Sequence, residues 1–510
     1  MKSTCIVCAF LFLSGILSLP AQQAEKIQKN AVSPATFASY IQQALRLWKT
    51  PGISVVVVKD GKIIYKNGFG VTESGKNAPF TTSTVSICAS TTKAMTAVCM
   101  GMLVDEGRVK WADKVADIYP AFKLYDRYAS EEITVRDLFT HNTGLGNADW
   151  LWALGMAPDT IINRMRLLKP AYSFRSSFIY QNLMYIVAGE VIHRISGKPW
   201  VDFIRERLFE PLGMNHTYPV YSESLGEPSH ITPHFIFDDS VVKPIPYIQA
   251  KGVDAAGGVW SCADDVGKWM LFLLDSAIIN GKRLLKPGTF SELFKPQSIV
   301  TPEQFYPTAK LTKPHWTTYG LGWFQEDYRG KMVQFHTGSL PGATAIIGLI
   351  PEDHFGVYIF GNLDHAEMRH ALMYKAMDLW CFNDNSKDWS ADFYALYKDI
   401  KQAAKKKHAE EDAKRVPGTH PSLPMTAYAG KYLNEAFGTA EIRLSGDSLL
   451  LEFPNHLVLF LSHWHYDTFD GRFADNWNEN TKVHFSLDEA GKISSFEMDG
   501  MIYQKQAPDK

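Results

Sequence analysis

The chain has 510 residues, 46% hydrophobic and 21% charged, with a formal net charge of -2 at pH 7 and a pI near 6.8. This is a globular composition with material for two or three domains. It offers no global charge with which to hold nucleic acid or an acidic membrane, and leaves small molecules or peptides as partners.

The first residues read as an export leader. Lys2 precedes an apolar run from Cys5 to Leu19, and Pro20-Ala21-Gln22-Gln23-Ala24 supplies small residues for cleavage. The sequence predicts a leader over residues 1–24 and a periplasmic or secreted product, with membrane contact only if the leader is retained. Cys88, Cys99, Cys262 and Cys381 remain in the mature chain, without metal-ligand spacing and with no disulfide required.

Two β-rich runs around Asp60-Gly61, from Ile53 to Tyr65, predict a hairpin that starts an antiparallel sheet. Next comes Ser90-Thr91-Thr92-Lys93, a hydroxyl and an amine three residues apart. A Ser followed three residues later by Lys is expected roughly twice by chance in a chain this long, and a second copy does occur at Ser240 to Lys243. Pro244 takes that copy out of helical geometry. After Lys93, by contrast, the run Ala94 to Val104 is apolar nearly all round, as a buried helix should be, and Asp105-Glu106-Gly107 ends it. On a helix, residues three apart share a face, so the Lys93 amine can reach Ser90 and take its proton if burial keeps it neutral. Ser90 is thereby a candidate covalent nucleophile.

Residues from about 84 to 300 predict a helical block. Within it, Tyr180-Gln181-Asn182 sets a phenol and a carboxamide two apart in an extended or loop segment, where both can face one cleft. Strand patterns return at Tyr319 to Trp323, Val333 to Phe335, Ala343 to Ile350 and Phe355 to Phe360, followed by an amphipathic helix over about 367–380. The run His336-Thr337-Gly338-Ser339 follows one of these strands, and Gly338 permits close backbone approach. The fold class expected is α/β (α+β), an antiparallel sheet flanked by helices with a helical subdomain.

A charged helix over Asp392 to Lys414, with Lys405-Lys406-Lys407 as a solvated face, and the breakers Pro417-Gly418-Thr419-His420-Pro421 predict a linker over 385–422. Residues 423–510 alternate apolar and polar in short runs, the pattern of a small antiparallel, barrel-like β-domain. His463 and His465 share a strand face there, but two ligands without a clear third do not make a metal site.

In this order, the Ser90, Tyr180 and His336 motifs resemble those of the serine penicillin-recognising family. Ile133 to Leu145, Pro211-Leu212-Gly213-Met214 and Ala256-Gly257-Gly258-Val259-Trp260-Ser261 look like blocks of its class C β-lactamase branch, which includes DD-peptidases, D-aminopeptidases and esterases. The resemblance covers about residues 35–380, and implies a catalytic domain over 30–384. It implies Ser90 as acyl-accepting nucleophile, Lys93 and Tyr180 as the proton-transfer pair, and Asn182 as partner of substrate amide and lysine. It puts His336, Gly338 and Ser339 at the substrate, with the backbone N–H groups of Ser90 and Ser339 as oxyanion donors. Histidine at 336 is more like the peptidases of the branch than its dedicated β-lactamases.

The function expected is an exported serine hydrolase, free of metal and cofactor, that cleaves an amide or ester of a small molecule or peptide through an acyl-enzyme. An acyltransferase using an alcohol or amine acceptor and a non-catalytic penicillin-binding receptor are the alternatives. Which of Lys93 and Tyr180 is the base stays open at this level.

Overall fold

A computed structural model describes residues 33–248, 252–446, 448–475 and 477–507; the expected leader lies outside them. Helix α1 (Pro34–Trp48) starts at Ser33, whose Oγ accepts the Thr36 N–H at 3.1 Å, with proline at the first helical position. It buries Phe37, Ile41, Ala44 and Trp48, one stripe at helical spacing. Strands β1 (Gly52–Lys59) and β2 (Lys62–Gly70) pair antiparallel around Asp60 and Gly61, whose φ of 49° and 73° are the left-handed values a tight hairpin turn needs.

The main sheet is completed by β3 (Ser298–Ile299), β4 (Thr317–Tyr319), β5 (Phe324–Tyr328), β6 (Lys331–Leu340), β7 (Ala343–Ile350) and β8 (Phe355–Gly361). The strand order is β2-β1-β8-β7-β6-β5-β4-β3. Both ends of this domain therefore meet within one sheet, where β1 pairs β8 from Ile53↔Gly361 to Lys59↔Phe355.

The helices that matter for the site are α2 (Thr92–Asp105), α3 (Leu183–Ser196), α4 (Ala263–Leu274), α5 (Met368–Phe382) and α6 (Trp389–Asp412). One face of the sheet packs on α1, α5 and the start of α6, where Phe37, Leu372, Trp389 and Phe393 join strand residues in one cluster. The other face supports α2, α4 and the helical block, with Met95, Val98, Tyr185 and Trp269 in its core.

Two expectations change here. Helix α5 is buried on every side rather than amphipathic, because α6 covers the face turned from the sheet. Its polar groups are accordingly paired: Asp378 accepts from Tyr328 Oη and Trp389 Nε1, and Lys375 donates to the Asn385 and Lys387 carbonyls. Residues 320–323, expected within a strand, are the turn between β4 and β5. Gly322 has φ 88°, and a Cβ there would lie 2.9 Å from Ala94 Cα, so the turn seats on the first turn of α2.

The C-terminal domain is a closed barrel of eight antiparallel strands in sequential order: β9 (Gly430–Asn434), β10 (Gly438–Ser445), β11 (Ser448–Glu452), β12 (Val458–His465), β13 (Thr468–Phe473), β14 (Thr481–Leu487), β15 (Ile493–Met498) and β16 (Met501–Lys505). Pairing of β9 with β16 closes it. Tyr428, Leu449, Leu459, Phe469 and Tyr503 fill its interior. Leu154, from the large domain, belongs to the same cluster. His463 and His465 are spent on backbone, with His463 Nε2 2.9 Å from Tyr466 O and His465 Nδ1 accepting the Val416 N–H at 3.2 Å.

Candidate active site

The segment ahead of α2 is pinned before it turns. Ser86 and Ile87 pair with Ser261 and Trp260, and the Cys88 N–H donates to Val259 O at 2.8 Å. Ala89 then takes φ 46°, a left-handed value that costs a non-glycine residue about 1 kcal/mol or more and marks functional turns. Ser90 and Thr91 follow in a 3-10 turn that runs into α2, which leaves Ser90 half-buried.

Lys93, one residue into α2, is fully buried. Its Nζ lies 3.1 Å from Ser90 Oγ, 2.7 Å from Asn182 Oδ1 and 2.9 Å from Ala256 O. As an ammonium it can donate to all three. As a neutral amine it has two N–H groups, which the acceptor-only amide and carbonyl oxygens take, and its lone pair is left facing Ser90. Burial drives its pKa down to about 7, against the opposing pull of Asp149.

Asn182 ends the loop ahead of α3, and the preceding Gln181 caps that helix by accepting the Met184 N–H at 2.9 Å. The Asn182 amide is held at both ends. Oδ1 takes the lysine, and Nδ2 donates to the two Asp149 oxygens at 3.0 and 3.1 Å.

Two residues back, the Tyr180 ring lies 5.0 Å from Lys93 Nζ and 4.5 Å from the His141 ring. Its hydroxyl is buried without a hydrogen bond of good geometry. Burial pushes this phenol well above its ordinary range, and Ser90 is the neighbour that pulls it the other way. Burial therefore outweighs the nearby amine and keeps Tyr180 protonated, leaving Lys93 as the member of the pair that can be a free base near neutrality.

Beyond Phe335 the strand β6 pairs only with β7, so the other edge of residues 336–340 is open towards Ala89 and Ser90. His336 is 1% exposed with both ring nitrogens engaged: Nδ1–H donates to Thr337 O at 2.7 Å and Nε2 accepts from Tyr319 Oη at 3.0 Å. Burial, and then Lys93, lower its pKa to about 3, so it is a neutral ring backing Tyr180 rather than a cation at the cleft.

Gly338 is required by contact. A Cβ there would stand 2.1 Å from Cys88 O, so only glycine lets β6 reach the turn that carries Ser90. Gly338→Ala should cost roughly 1–3 kcal/mol by overpacking and lower kcat at least about a hundredfold by moving that edge; thermal melting and steady-state kinetics check the two halves separately.

The peptide between Gly338 and Ser339 is fixed from behind by Arg369 of α5, itself 4% exposed and ion-paired to Glu367 at 3.1 Å. Arg369 Nη1 donates to Gly338 O at 2.5 Å and Ser339 Oγ at 2.7 Å, and reaches Ala345 O on β7 at 3.4 Å. The Gly338 carbonyl therefore points to the β7 side. In a trans peptide the following N–H points the opposite way, which sends the Ser339 N–H to the open edge beside Ser90.

The fold thus gathers Ser90, Lys93, Tyr180, Asn182, Gly338 and Ser339 around one point, with His336 behind Tyr180. Sequence reasoning missed Asp149, Tyr319, Arg369 and the Tyr306 hydroxyl, 2.6 Å from Thr337 Oγ1. None belongs to a recognisable spacing; each reaches the site through the tertiary fold alone. Among the described residues, no group of three or more His, Cys, Asp or Glu is placed to hold a metal.

Comparison with known proteins places this arrangement. The family model for Beta-lactamase matches residues 37–379. The chain belongs to the beta-lactamase family. A second model, a domain of unknown function (DUF3471), matches residues 414–509, which include the barrel. Unguisins hydrolase ungD' of Aspergillus campestris is 28% identical over 421 residues, covering 79% of this chain and 76% of its own. Protein flp of Staphylococcus aureus strain MW2 is 23% identical over 335 residues, covering 64% of this chain and 62% of its own. In fold, the octameric penicillin-binding protein homologue from Pyrococcus abyssi matches with a TM-score of 0.60 at 21% identity, over 92% of this chain and 99% of that one. SurE matches with a TM-score of 0.56 at 17% identity, over 95% and 100%. The family model and the relative named as a hydrolase support a hydrolase-type enzyme, and the two solved structures share the fold.

Proposed function

We propose that the protein is an exported serine hydrolase that cleaves an amide or ester of a small molecule or peptide through an acyl-enzyme on Ser90. The observation that carries this reading is the environment of Lys93. A fully buried amine whose two N–H groups are taken by Asn182 Oδ1 and Ala256 O has one remaining direction for its lone pair, and Ser90 Oγ lies there at 3.1 Å.

In the first half-reaction the Ser90 proton passes to Lys93 as Oγ bonds to the substrate carbonyl carbon. The carbonyl oxygen takes up negative charge, and the backbone N–H groups of Ser90 and Ser339 donate to it. Collapse breaks the bond to the leaving amine or alcohol, which leaves with a proton relayed from Lys93 through the Tyr180 hydroxyl. Water then attacks the acyl-Ser90 ester, its proton returns along the same path, and the acid is released. The relatives named as unguisins hydrolases support hydrolysis as the overall outcome.

The reading sets a pH dependence. Lys93 must be unprotonated to accept the serine proton, so kcat/KM should rise tenfold per pH unit below about 7 and level off above it. Neither His336, neutral above about 3, nor Tyr180, held protonated by burial, adds a limb near neutrality. Kinetics on a panel of D-amino-acid peptides, simple esters and β-lactams between about pH 5 and 9, with and without alcohol acceptors, test this and name the acyl group. A limb near the carboxylate range, or none, would remove Lys93 as base.

A further inference from the structure

Asp149 stands where the barrel meets the candidate active site. It immediately precedes the short helix Trp150–Ala153. Trp150 faces Phe453 and Phe473 of the barrel at ring distances of 6.2 and 6.5 Å, and Leu154, 2% exposed, is part of the barrel's own core. Polar contacts fasten the same region: Asn455 Nδ2 donates to Ala153 O at 3.3 Å, and Arg164 Nη1 to Ala436 O at 2.9 Å. From this anchored segment the Asp149 carboxylate reaches inward to Asn182 Nδ2, steadied by Asn147, whose Nδ2 donates to it at 3.2 Å and whose Oδ1 accepts the Asp149 N–H at 3.0 Å.

The contact decides which way round the Asn182 amide sits. A carboxylate accepts only, so it selects the NH₂ end and leaves the oxygen for Lys93. With the amide reversed, two donors would oppose each other and the lysine lone pair would be drawn to Asn182 instead of Ser90. We propose that Asp149 is a positioning residue of the Ser90–Lys93 pair, held in place by the C-terminal barrel. The proposal rests on Lys93 being the base of the reaction above.

Asp149 also acts on Lys93 by charge. The Tyr180 and Tyr185 rings lie 5.0 and 5.2 Å from Nζ. His336 and His141 are kept neutral by burial and then by the lysine itself, and Asp254 lies on the helix that offers Ala256 O. Both ring faces favour the cation modestly; among the charged groups named, it is the Asp149 carboxylate that raises the lysine. Removing its charge should therefore make Lys93 lose its proton at lower pH.

The test is the rate of Ser90 labelling by a fluorophosphonate as a function of pH, a readout that survives a large loss of turnover. In Asp149→Asn the acid limb should move to lower pH by roughly half a unit to one unit, and the plateau rate should fall about ten- to a hundredfold as the amide loses its fixed orientation. Asp149→Glu should recover part of both. Trp150→Ala, at a half-buried docking side chain and with its fold checked by circular dichroism, should shift the limb the same way. An unmoved limb in Asp149→Asn overturns the proposal; a moved limb there but a wild-type profile in Trp150→Ala overturns the barrel's part. Failure of Ser90 to label in the unaltered protein would instead refute the reaction itself.

Discussion

Ser90→Ala is expected to reduce hydrolysis of every substrate by about five orders of magnitude or more, to a residue owed to binding and the oxyanion donors. The size follows from its position. Ala89 is forced to φ 46°, Gly338 is the one residue type that lets β6 close on Cys88, and Ser339 presents its N–H to the open edge. In the proposed reaction this geometry would hold the substrate carbonyl at Ser90 Oγ. The substitution removes one oxygen atom from a half-buried side chain, so the melting temperature should be unchanged. A folded variant that still turns over ester or peptide at more than about a thousandth of the original rate would show that water, not Ser90, attacks.

Lys93→Ala should lower kcat/KM by about two to four orders of magnitude, the usual span for loss of a general base. It differs from Ser90→Ala in two ways. The nucleophile remains, so fluorophosphonate labelling of Ser90 should continue slowly, and the limb set by an amine of pKa about 7 should vanish from what activity is left. The change also leaves a buried cavity beside the Asn182 and Ala256 oxygens, so small primary amines should restore part of the rate. Near-normal kinetics in this variant would assign the base elsewhere, with Tyr180 then the group to examine.

Elements with strong local chemistry were legible. Asp60-Gly61 specified the first hairpin, an apolar run specified α2, and regular alternation specified a barrel-like end to the chain. Where tertiary contact overrides local pattern, the reading failed. Residues 320–323 are apolar enough for a strand, but Gly320 and Gly322 make a turn that must fit against Ala94, which displaces the strand to 324–328. Charged positions in α5 suggested a solvent face that α6 covers. The site divides along the same line. Ser90, Lys93, Tyr180 and Asn182 sit in short motifs with mutual geometry set by one helix start or one loop, and they meet as the motifs suggest. His336 was expected at the substrate, yet Tyr319 and the Thr337 carbonyl occupy its nitrogens. Asp149 and Arg369 act from segments whose neighbours only the fold supplies.

Hydrolysis by way of Ser90 requires a covalent bond between the substrate acyl group and its Oγ. Acid-quenching the protein during turnover of a slow ester, then measuring intact mass and mapping the modified peptide, tests it directly. One added acyl group is expected, on Ser90, formed at the rate of the first product and absent from Ser90→Ala. An unmodified protein under substrate and fluorophosphonate alike, or an adduct on another residue while turnover continues, would contradict it.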